Sequence, residues 1–347
     1  MNEDSKTFKM TCPVPLSDYP AVMMAHGAGG RLMQRLIDEM FLAAFTDVQP
    51  HDGAVLDIPQ DRIVMTTDSF VIRPLFFPGG NIGLLAVNGT VNDLAMCGSR
   101  PRYLSVSFIL EEGLSMEILW QVVQAMCAAA SAANVAIVTG DTKVVERGHG
   151  DGLYINTTGI GVLEHNHVIA PDRVKTGDAV ILSGDIGRHG MAVMGRREGL
   201  SFESGINSDC APLSACVLEI LEAGLVPHCL RDATRGGVAA VLNEIAAASK
   251  LQINIRENAI PVDEAVRGAC EILGLDPLHI ANEGCFVAFI APEEQSRVLA
   301  IMQRYNSQAA LIGTVTNSKP GLVTLETPIG GQRILDMPMG ELLPRIC

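Results

Sequence analysis

The sequence predicts two α+β domains followed by a flexible C-terminal arm. The chain has 347 residues, whereas single hydrophobic cores stop growing at roughly 250–300 residues, so two domains are expected. Patterns typical of helices and strands alternate up to about residue 165 and begin again after a polar stretch at residues 164–167. The end of the chain, residues 330–347, contains glycine and proline at positions that disfavour regular structure.

The composition is that of a compact globular protein and disfavours several kinds of partner. Hydrophobic residues make up 48% and charged residues 18% of the chain, which argues against global disorder. The formal net charge of −14 disfavours binding to nucleic acid or to an anionic membrane. Residues 1–12 lack an export signal, and the most apolar helical stretch, 114–133, contains Glu117, Gln121 and Gln124. We therefore expect a cytoplasmic protein with no membrane segment.

The first domain is predicted to span residues 22–165, after an N-terminal extension of residues 1–21. Apolar residues three and four positions apart predict a helix at 31–45, directly after a glycine-rich turn at 26–30. Alternating apolar residues over 104–110 predict a strand with one buried face. The remaining patterns predict strands at 62–66, 135–139 and 153–163 and helices at 83–97 and 115–133.

The second domain, residues 166–329, repeats this alternation. A glycine-rich stretch at 231–237 leads into a helix predicted at 237–248. Further patterns predict strands at 179–183, 251–255, 285–291, 311–315 and 322–326 and helices at 212–223, 262–273 and 293–305. The arm that follows, counted from residue 331, would reach roughly 53–58 Å when extended, which is enough to cross a domain and enter a cleft.

Three aspartates share a sequence context that favours metal binding. Asp68, Asp93 and Asp141 each follow or lie within an apolar run, among small polar residues typical of loops. Carboxylates beside Asn92 and glycine suit Mg²⁺, which prefers oxygen ligands and is usually shared with nucleotide phosphates. A single aspartate of this kind is more often a turn or cap residue. The three together favour a metal–phosphate site.

Two glycine-rich loops are candidates for phosphate binding. The loop at 26–30 leads into a helix, whose N-terminal N–H groups can bind phosphate. No P-loop or dinucleotide-binding motif occurs, so an ATP site here would be of another type. The second loop carries Arg231, Asp232 and Arg235, which fits phosphate binding and equally fits a capped helix with a surface ion pair.

Two further charged residues and one cysteine stand out. Lys143 follows Asp141 by two residues, and Glu283 precedes a predicted strand; each is a candidate for proton transfer, although a solvated surface charge is the ordinary interpretation. The nine cysteines include no C-x-x-C pair, which argues against a zinc ribbon or a redox dithiol. One of them, Cys347, is the last residue of the chain.

Six segments of the sequence match a known family: residues 26–33, 67–80, 140–145, 231–237 and 282–284, and the ending Pro344-Arg345-Ile346-Cys347. Through them the chain, from about residue 22 to its end, resembles the HypE family of hydrogenase maturation proteins. That family is part of the aminoimidazole-ribonucleotide-synthetase-like, or PurM-like, superfamily of ATP-dependent enzymes. The resemblance implies a homodimer whose N-terminal ATP-binding domains form a joint β structure, a C-terminal α+β domain, and a flexible tail at 330–347.

The resemblance also implies a reaction and a set of site residues. A carbamoyltransferase, HypF, would place a carbamoyl group on Cys347, and ATP-dependent dehydration would convert it to a thiocyanate. Its cyanide would pass to iron on a HypC–HypD scaffold for nickel–iron hydrogenase. The implied catalytic residues are Cys347, Lys143 and Glu283. The implied ATP and phosphate contacts are His26, Gly27, Gly29, Gly30, Asp68, Asn92, Asp93, Asp141, Thr142, Arg231 and Arg235. The implied Mg²⁺ ligands are Asp68, Asp93, Asp141 and Asp232.

Two alternative functions remain open at this point. Another PurM-like enzyme, similar to selenophosphate synthetase, would carry a reactive Cys or Sec in its N-terminal glycine-rich loop, whereas the loop at 26–30 has no cysteine and Cys12 lies well before it. An alternative of a different class is a non-catalytic metallochaperone or scaffold that docks a partner through its tail.

Overall fold

Two β-sheets organise the chain, one in each half. The structure is a computed structural model that describes residues 30–31, 34, 54–57, 62–199 and 205–337. Within these ranges no helix has the length and apolar character needed to cross a membrane.

The sheet of the first half has five strands in the order β1-β2-β7-β5-β6. The strands of this half are β1 (Ala54–Asp57), β2 (Arg62–Phe70), a short hairpin of β3 (Phe76–Phe77) and β4 (Gly80–Asn81), β5 (Arg100–Glu111), β6 (Ala136–Val145) and β7 (Leu153–Leu163). All neighbours in the five-stranded sheet are antiparallel except β5 and β6. That parallel pair needs a crossover, which helix α2 (Met116–Ala132) provides, and β6 is left at an edge of the sheet.

Helix α1 (Ile82–Met96) packs against the inner face of this sheet. The side chain of Asn81 caps its start by accepting hydrogen bonds from the N–H groups of Gly83 at 2.9 Å and Leu84 at 3.1 Å. Almost every residue of α1 is buried, because the sheet covers one side while α2 and the second half of the chain cover the other. This helix therefore joins the two halves.

The sheet of the second half has seven strands in the order β14-β13-β10-β12-β8-β11-β9. Its strands are β8 (Ala179–Leu182), β9 (Cys229–Asp232), β10 (Gln252–Arg256), β11 (Phe286–Ile290), β12 (Ala310–Thr316), β13 (Val323–Glu326) and β14 (Gln332–Ile334). The helices of this half are α3 (Arg188–Arg197), α4 (Ser214–Glu222), α5 (Gly237–Ser249), α6 (Glu264–Leu273) and α7 (Gln295–Tyr305).

Helices cover both faces of the seven-stranded sheet. Val180 and Leu182 of β8 pack in a core formed with α5, whereas Ala179 and Ile181 pack in a second core formed with α4 and α7. This division follows from the alternation of side chains along a strand. Met96 at the end of α1 belongs to the second core, so the two halves share buried surface.

Most of the predicted elements are confirmed, and some boundaries are corrected. Helices α1 and α2 begin and end within one residue of the predicted 83–97 and 115–133. The strand predicted at 62–66 continues to Phe70, and the strand predicted at 135–139 continues to Val145. Asp68 and Asp141 therefore lie inside strands, and Asp93 lies inside α1, instead of in loops.

The arm predicted to be irregular from residue 330 begins with regular structure. Residues Gln332–Ile334 form β14 beside β13, and the side chain of Leu335 is fully buried. Of the helix predicted at 31–45 only Arg31 and Gln34 belong to the described residues, and the predicted extension of residues 1–21 lies outside them.

Candidate active site

Two carboxylates face each other where α1 crosses β2. The hydroxyl of Thr90 donates a hydrogen bond to Oδ2 of Asp68 at 3.4 Å, and the hydroxyl of Thr66 donates to Oδ2 of Asp93 at 2.8 Å. Thr90 and Asp93 are three residues apart on one helix, and Thr66 and Asp68 are two residues apart on one strand. Both carboxylates therefore lie at the contact between α1 and β2.

Two more carboxylates lie at the end of β9, which packs against α1. Asp232 is the last residue of β9 and is paired with Phe286 of β11. Glu283 comes three residues before Phe286, so Asp232 and Glu283 lie at the same end of the seven-stranded sheet. Both side chains are buried, with 6% and 4% of their surface exposed.

We define the acidic cluster as Asp68, Asp93, Asp232 and Glu283, and burial raises the pKa of the last two. Burial raises the pKa of Asp232 to about 6; the charge of Arg231 opposes this shift and the charge of Asp68 adds to it. Burial also raises the pKa of Glu283 well above its ordinary value, and the charges of Asp232 and Asp209 raise it further. The cluster therefore has a strong affinity for protons or cations.

The glycine-rich loop after β9 packs directly against the segment that leads to Glu283. Gly237 has a φ of +61°, and a Cβ there would lie 2.6 Å from the carbonyl oxygens of Leu278 and Ile280, so only glycine fits. The side-chain amide of Asn282 donates to the carbonyl of Ala233 at 2.8 Å. The loop and the segment before Glu283 thus form one rigid unit.

The two arginines of this loop differ in position. Arg231 pairs with Glu244 of α5 at 3.0 Å, and its charge lowers the pKa of Asp232. The phosphate contact expected of Arg231 stays a prediction. Arg235 is exposed beside the cluster, where its charge lowers the pKa values of Asp232 and Glu283.

The side chain of Asn92 forms hydrogen bonds with the second half of the chain, and its expected phosphate contact stays a prediction. Its amide nitrogen donates to the carbonyls of Ala211 at 3.1 Å and Glu283 at 3.3 Å, and its oxygen accepts from the N–H of Leu213 at 2.8 Å. Only 1% of its surface is exposed. Asn92 therefore connects α1 to the second half of the chain, because both polar atoms of its side chain form hydrogen bonds within the protein.

Asp141, Thr142 and Lys143 lie apart from the acidic cluster. The register places Asp68 in one row with Thr157, Val106 and Gly140, so Asp141, the next residue on β6, belongs to the opposite face of the sheet. Three strand spacings of about 4.8 Å also separate β2 from β6, which amounts to about 14 Å.

Lys143 accompanies Asp141 on that outer face. Its Nζ atom lies 2.7 Å from Oδ2 of Asp141, and both side chains are exposed. One chain therefore does not bring Asp141 or Lys143 to Asp68, contrary to the single-site expectation.

The cluster fits a cation that is shared with a ligand better than a closed metal site. Over the described residues, no group of three or more His, Cys, Asp or Glu side chains has metal-binding geometry. Asp68, Asp93 and Asp232 supply only oxygen ligands, and burial, together with the charge of Asp68, raises the pKa of Asp232. Mg²⁺ commonly takes one or two carboxylates together with phosphate oxygens. These residues therefore fit Mg²⁺ bound with a nucleotide.

A cavity of about 430 Å³ lies next to the segment that leads to Glu283, and Ile280 forms part of its wall. Gly30 begins a helical turn there, because its carbonyl accepts from the N–H of Gln34 at 3.0 Å. Arg31 forms an ion pair with Asp336 at 3.3 Å across the cavity. The start of the first helix and the start of the C-terminal arm therefore meet beside the candidate site.

The remaining expected residues lie outside the described residues: His26, Gly27, Gly29 and Cys347. Met337 is the last described residue, and it lines the cavity. The ten residues from there to Cys347 would span about 33–36 Å when extended, so Glu283 is within reach of the cysteine.

The sequence interpretation missed two residues of this region. Asp209 accepts hydrogen bonds from the N–H groups of Glu283 and Gly284. Asn88, one turn before Asn92 on α1, is fully buried and donates to Sγ of Cys210 at 3.6 Å. Asp209 belongs to no glycine-rich loop and follows no apolar run, whereas Asn88 follows the apolar residues 84–87 but lies inside a predicted helix.

Comparisons with known proteins agree with this architecture. Residues 50–163 match the AIR synthase related protein N-terminal domain, and residues 175–325 match the corresponding C-terminal domain. A solved structure of AaThiL complexed with AMPPCP and TMP has a TM-score of 0.69 at 19% identity over 92% of this chain and 99% of that one, which shows a shared fold.

Closer relatives are carbamoyl dehydratases. The chain is 49% identical to carbamoyl dehydratase HypE of Azotobacter vinelandii, over 94% of this chain and 97% of that relative. It is 47% identical to that of Escherichia coli K12, over 94% and 99%. A HypE structure in complex with ATP has a TM-score of 0.81 at 45% identity, over 94% and 100% of the chains. A HypE–HypF complex has a TM-score of 0.83 at 47% identity, over 87% and 99%.

Proposed function

Since the chain belongs to the HypE family of carbamoyl dehydratases, which act in hydrogenase maturation, we propose that it dehydrates a carbamoyl group carried on its own Cys347. The product is a protein thiocyanate, and its cyanide becomes a ligand of the iron in nickel–iron hydrogenase. ATP is the co-substrate. The observation that carries the proposal is the buried carboxyl of Glu283, which belongs to the acidic cluster and follows by three residues Ile280, a residue that lines the cavity where the C-terminal arm begins.

The chemistry requires phosphoryl transfer and two proton losses. The carbamoyl oxygen takes the terminal phosphoryl group of ATP while ADP leaves and the nitrogen gives up one proton. The carbon–oxygen bond then breaks, phosphate leaves, and loss of the second proton from nitrogen completes the carbon–nitrogen triple bond. Thiocarbamate and ATP thus yield thiocyanate, ADP, phosphate and one net proton. A proton acceptor must lie beside the nitrogen, and water must be excluded.

Glu283 suits the role of proton acceptor. Among the described residues its carboxyl has no hydrogen-bond partner, although its backbone is held on both sides. Burial raises its pKa well above the ordinary value, which makes its carboxylate a stronger base than an exposed one. The charge of Arg235 opposes this shift by lowering the pKa of Glu283.

The acidic cluster would hold Mg²⁺ together with the nucleotide. Asp68, Asp93 and Asp232 supply the oxygen ligands, and the ion would neutralise phosphate charge. The loop that ends at Gly30 lies at a helix start and would bind phosphate through its N–H groups, as proposed for His26, Gly27 and Gly29. The ATP complex of a HypE structure supports ATP as the nucleotide.

In a homodimer, Lys143 and Asp141 of one copy would lie near the acidic cluster of the other. The edge strand β6 exposes the apolar side chains of Ile137, Val138 and Val144, a surface that a second copy can cover. Lys143 lies on that edge and is remote from the acidic cluster of its own chain. We propose that Lys143 of one copy transfers a proton at the acidic cluster of the partner copy. Asp141 and Thr142 would contact the phosphates bound at that same cluster.

Further partners follow from the reaction. A HypE–HypF complex supports HypF as the donor of the carbamoyl group. A HypC–HypD scaffold would accept the cyanide on iron, in the cytoplasm. The alternative functions predict differently: a scaffold would bind HypF without consuming ATP, and a selenophosphate-synthetase-like enzyme would not need Cys347.

The test is the intact mass of the protein after incubation with HypF, carbamoyl phosphate, ATP and Mg²⁺. We expect the wild type to gain one carbamoyl group and then to lose one water. Cys347→Ala should show neither change, whereas Cys127→Ala, which removes an exposed cysteine of α2, should behave as wild type. An adduct on Cys347→Ala, or a wild-type adduct that never loses water with ATP, would contradict the proposal.

A further inference from the structure

Asp209 holds the backbone on both sides of the Glu283 Cα atom. Its carboxylate oxygens each lie 3.2 Å from the N–H nitrogen of Glu283, and Oδ2 lies 2.9 Å from that of Gly284. Asp209 belongs to residues 205–213, which run between α3 and α4 and lie along α1. One side chain of this crossing segment therefore fixes two consecutive peptide groups at the proposed proton acceptor.

The surrounding contacts also hold the backbone of Glu283 in place. A Cβ on Gly284 would collide with the carbonyl oxygen of Asp209, so only glycine allows the two backbones to approach this closely. The carbonyl of Glu283 accepts from the N–H of Ala211 at 3.4 Å and from the amide of Asn92 at 3.3 Å. The backbone donor and acceptor of Glu283 are thus both held by residues far away in sequence, while its side chain points to no partner among the residues described.

We propose that Asp209 is a positioning residue that aims the carboxyl of Glu283 at the nitrogen of the thiocarbamate on Cys347. This inference rests on the proposed function of Glu283. A carboxylate is required because it can accept from both N–H groups at once, whereas the amide of asparagine would turn an N–H donor towards one of them. A displacement of a reacting group by about 1 Å can slow a reaction about 100-fold.

The test is the rate of water loss in a single turnover of protein already carbamoylated by HypF and carbamoyl phosphate. After addition of ATP and Mg²⁺, we expect Asp209→Asn to lose water about 100-fold more slowly than wild type, with the half-saturating ATP concentration within about twofold. A merely structural defect would change ATP affinity and the unfolding midpoint together with the rate.

Asp178→Asn is the matched control. Asp178 is also a buried carboxylate that accepts from a backbone N–H, that of Lys175 at 2.8 Å. It precedes Ala179, which pairs with Ile290, so it lies about 25 Å along the sheet from Glu283. We expect this variant to lose water at the wild-type rate.

A second variant covers the case in which Asp209→Asn does not fold. Asp209→Ala should lose water slowly. Sodium formate, whose carboxylate fits the space left by the Asp209 side chain, should accelerate this loss of water, whereas sodium chloride should not. A wild-type rate for Asp209→Asn, or equal rates of Asp209→Ala in formate and chloride, would overturn the role of Asp209. If instead Glu283→Gln loses water as fast as wild type, the proposed function of Glu283 fails, and the two failures are distinguishable.

Discussion

Replacing Asp232 by asparagine should stabilise the protein at neutral pH, because this carboxylate is buried beside other acids. Burial raises its pKa from 3.8 to about 6. A carboxyl whose pKa is higher in the folded state contributes stability below its unfolded pKa and loses it as the pH rises through the folded value. Asparagine has no charge to bury, so Asp232→Asn keeps that stability at every pH.

The size of the effect follows from the shift. Two pKa units correspond to about 3 kcal/mol, the expected gain in unfolding free energy of Asp232→Asn over wild type at about pH 8. The gain should fall below about 1 kcal/mol at about pH 4, where both proteins are neutral at this position. The same variant should lose ATP-dependent dehydration, because it removes a proposed Mg²⁺ ligand.

The assay is urea unfolding followed by circular dichroism, with a chelator present so that no divalent cation occupies the cluster. Asp172→Asn is the control, since Asp172 is exposed beside Arg173, and its effect should stay within about 0.5 kcal/mol at both pH values. No stabilisation of Asp232→Asn at about pH 8, or an equal gain at both pH values, would refute the reasoning.

Three further results are expected. Asn92→Ala should lower the unfolding free energy by about 3 kcal/mol in urea melts, because three buried hydrogen bonds of about 1 kcal/mol each are lost. Gly237→Ala should be destabilised by at least about 2 kcal/mol in the same melts, because its Cβ would meet two carbonyl oxygens, whereas Gly268→Ala, in the open middle of α6, should gain up to about 1 kcal/mol. Mixing the inactive variants Lys143→Ala and Glu283→Gln in equal amounts should restore about a quarter of the dehydration rate, since half of the dimers would have one intact site.

Each of these has a contradicting outcome. If Asn92→Ala were as stable as wild type, the hydrogen bonds of the Asn92 amide would not hold α1 to the second half of the chain. Equal effects of the two glycine substitutions would contradict the close backbone approach at Gly237. A mixture of Lys143→Ala and Glu283→Gln that remains inactive after subunit exchange would mean that Lys143 does not act on the partner's site.

The sequence predicted the elements of the fold because their hydrophobic patterns are local. The apolar residues of α1 and the alternation along β5 are visible within a few residues, and both elements lie where the patterns indicate. The sequence patterns end β2 and β6 too early, because the polar residues that follow their apolar starts are typical of loops, whereas here they continue the strands.

The site was predictable only in part, because its geometry depends on register and on contacts between distant segments. Asp68, Asp232 and Glu283 do converge, and their spacing in the sequence gives no hint of this. The observed register between β5 and β6 places Asp141 on the opposite face of the sheet from Asp68. A register that differed by one residue would place both on the same face. Asp209 acts through backbone N–H groups at residues 283–284, which no single-sequence motif encodes.

The origin of the phosphate oxygen tests the central claim most directly. HypF and carbamoyl phosphate labelled with heavy oxygen at the carbonyl would load Cys347, and ATP and Mg²⁺ would then start dehydration. Phosphorylation of the carbamoyl oxygen predicts that the label appears in inorganic phosphate, one heavy atom for each thiocyanate formed. Label released as water, with unlabelled phosphate, would contradict the account.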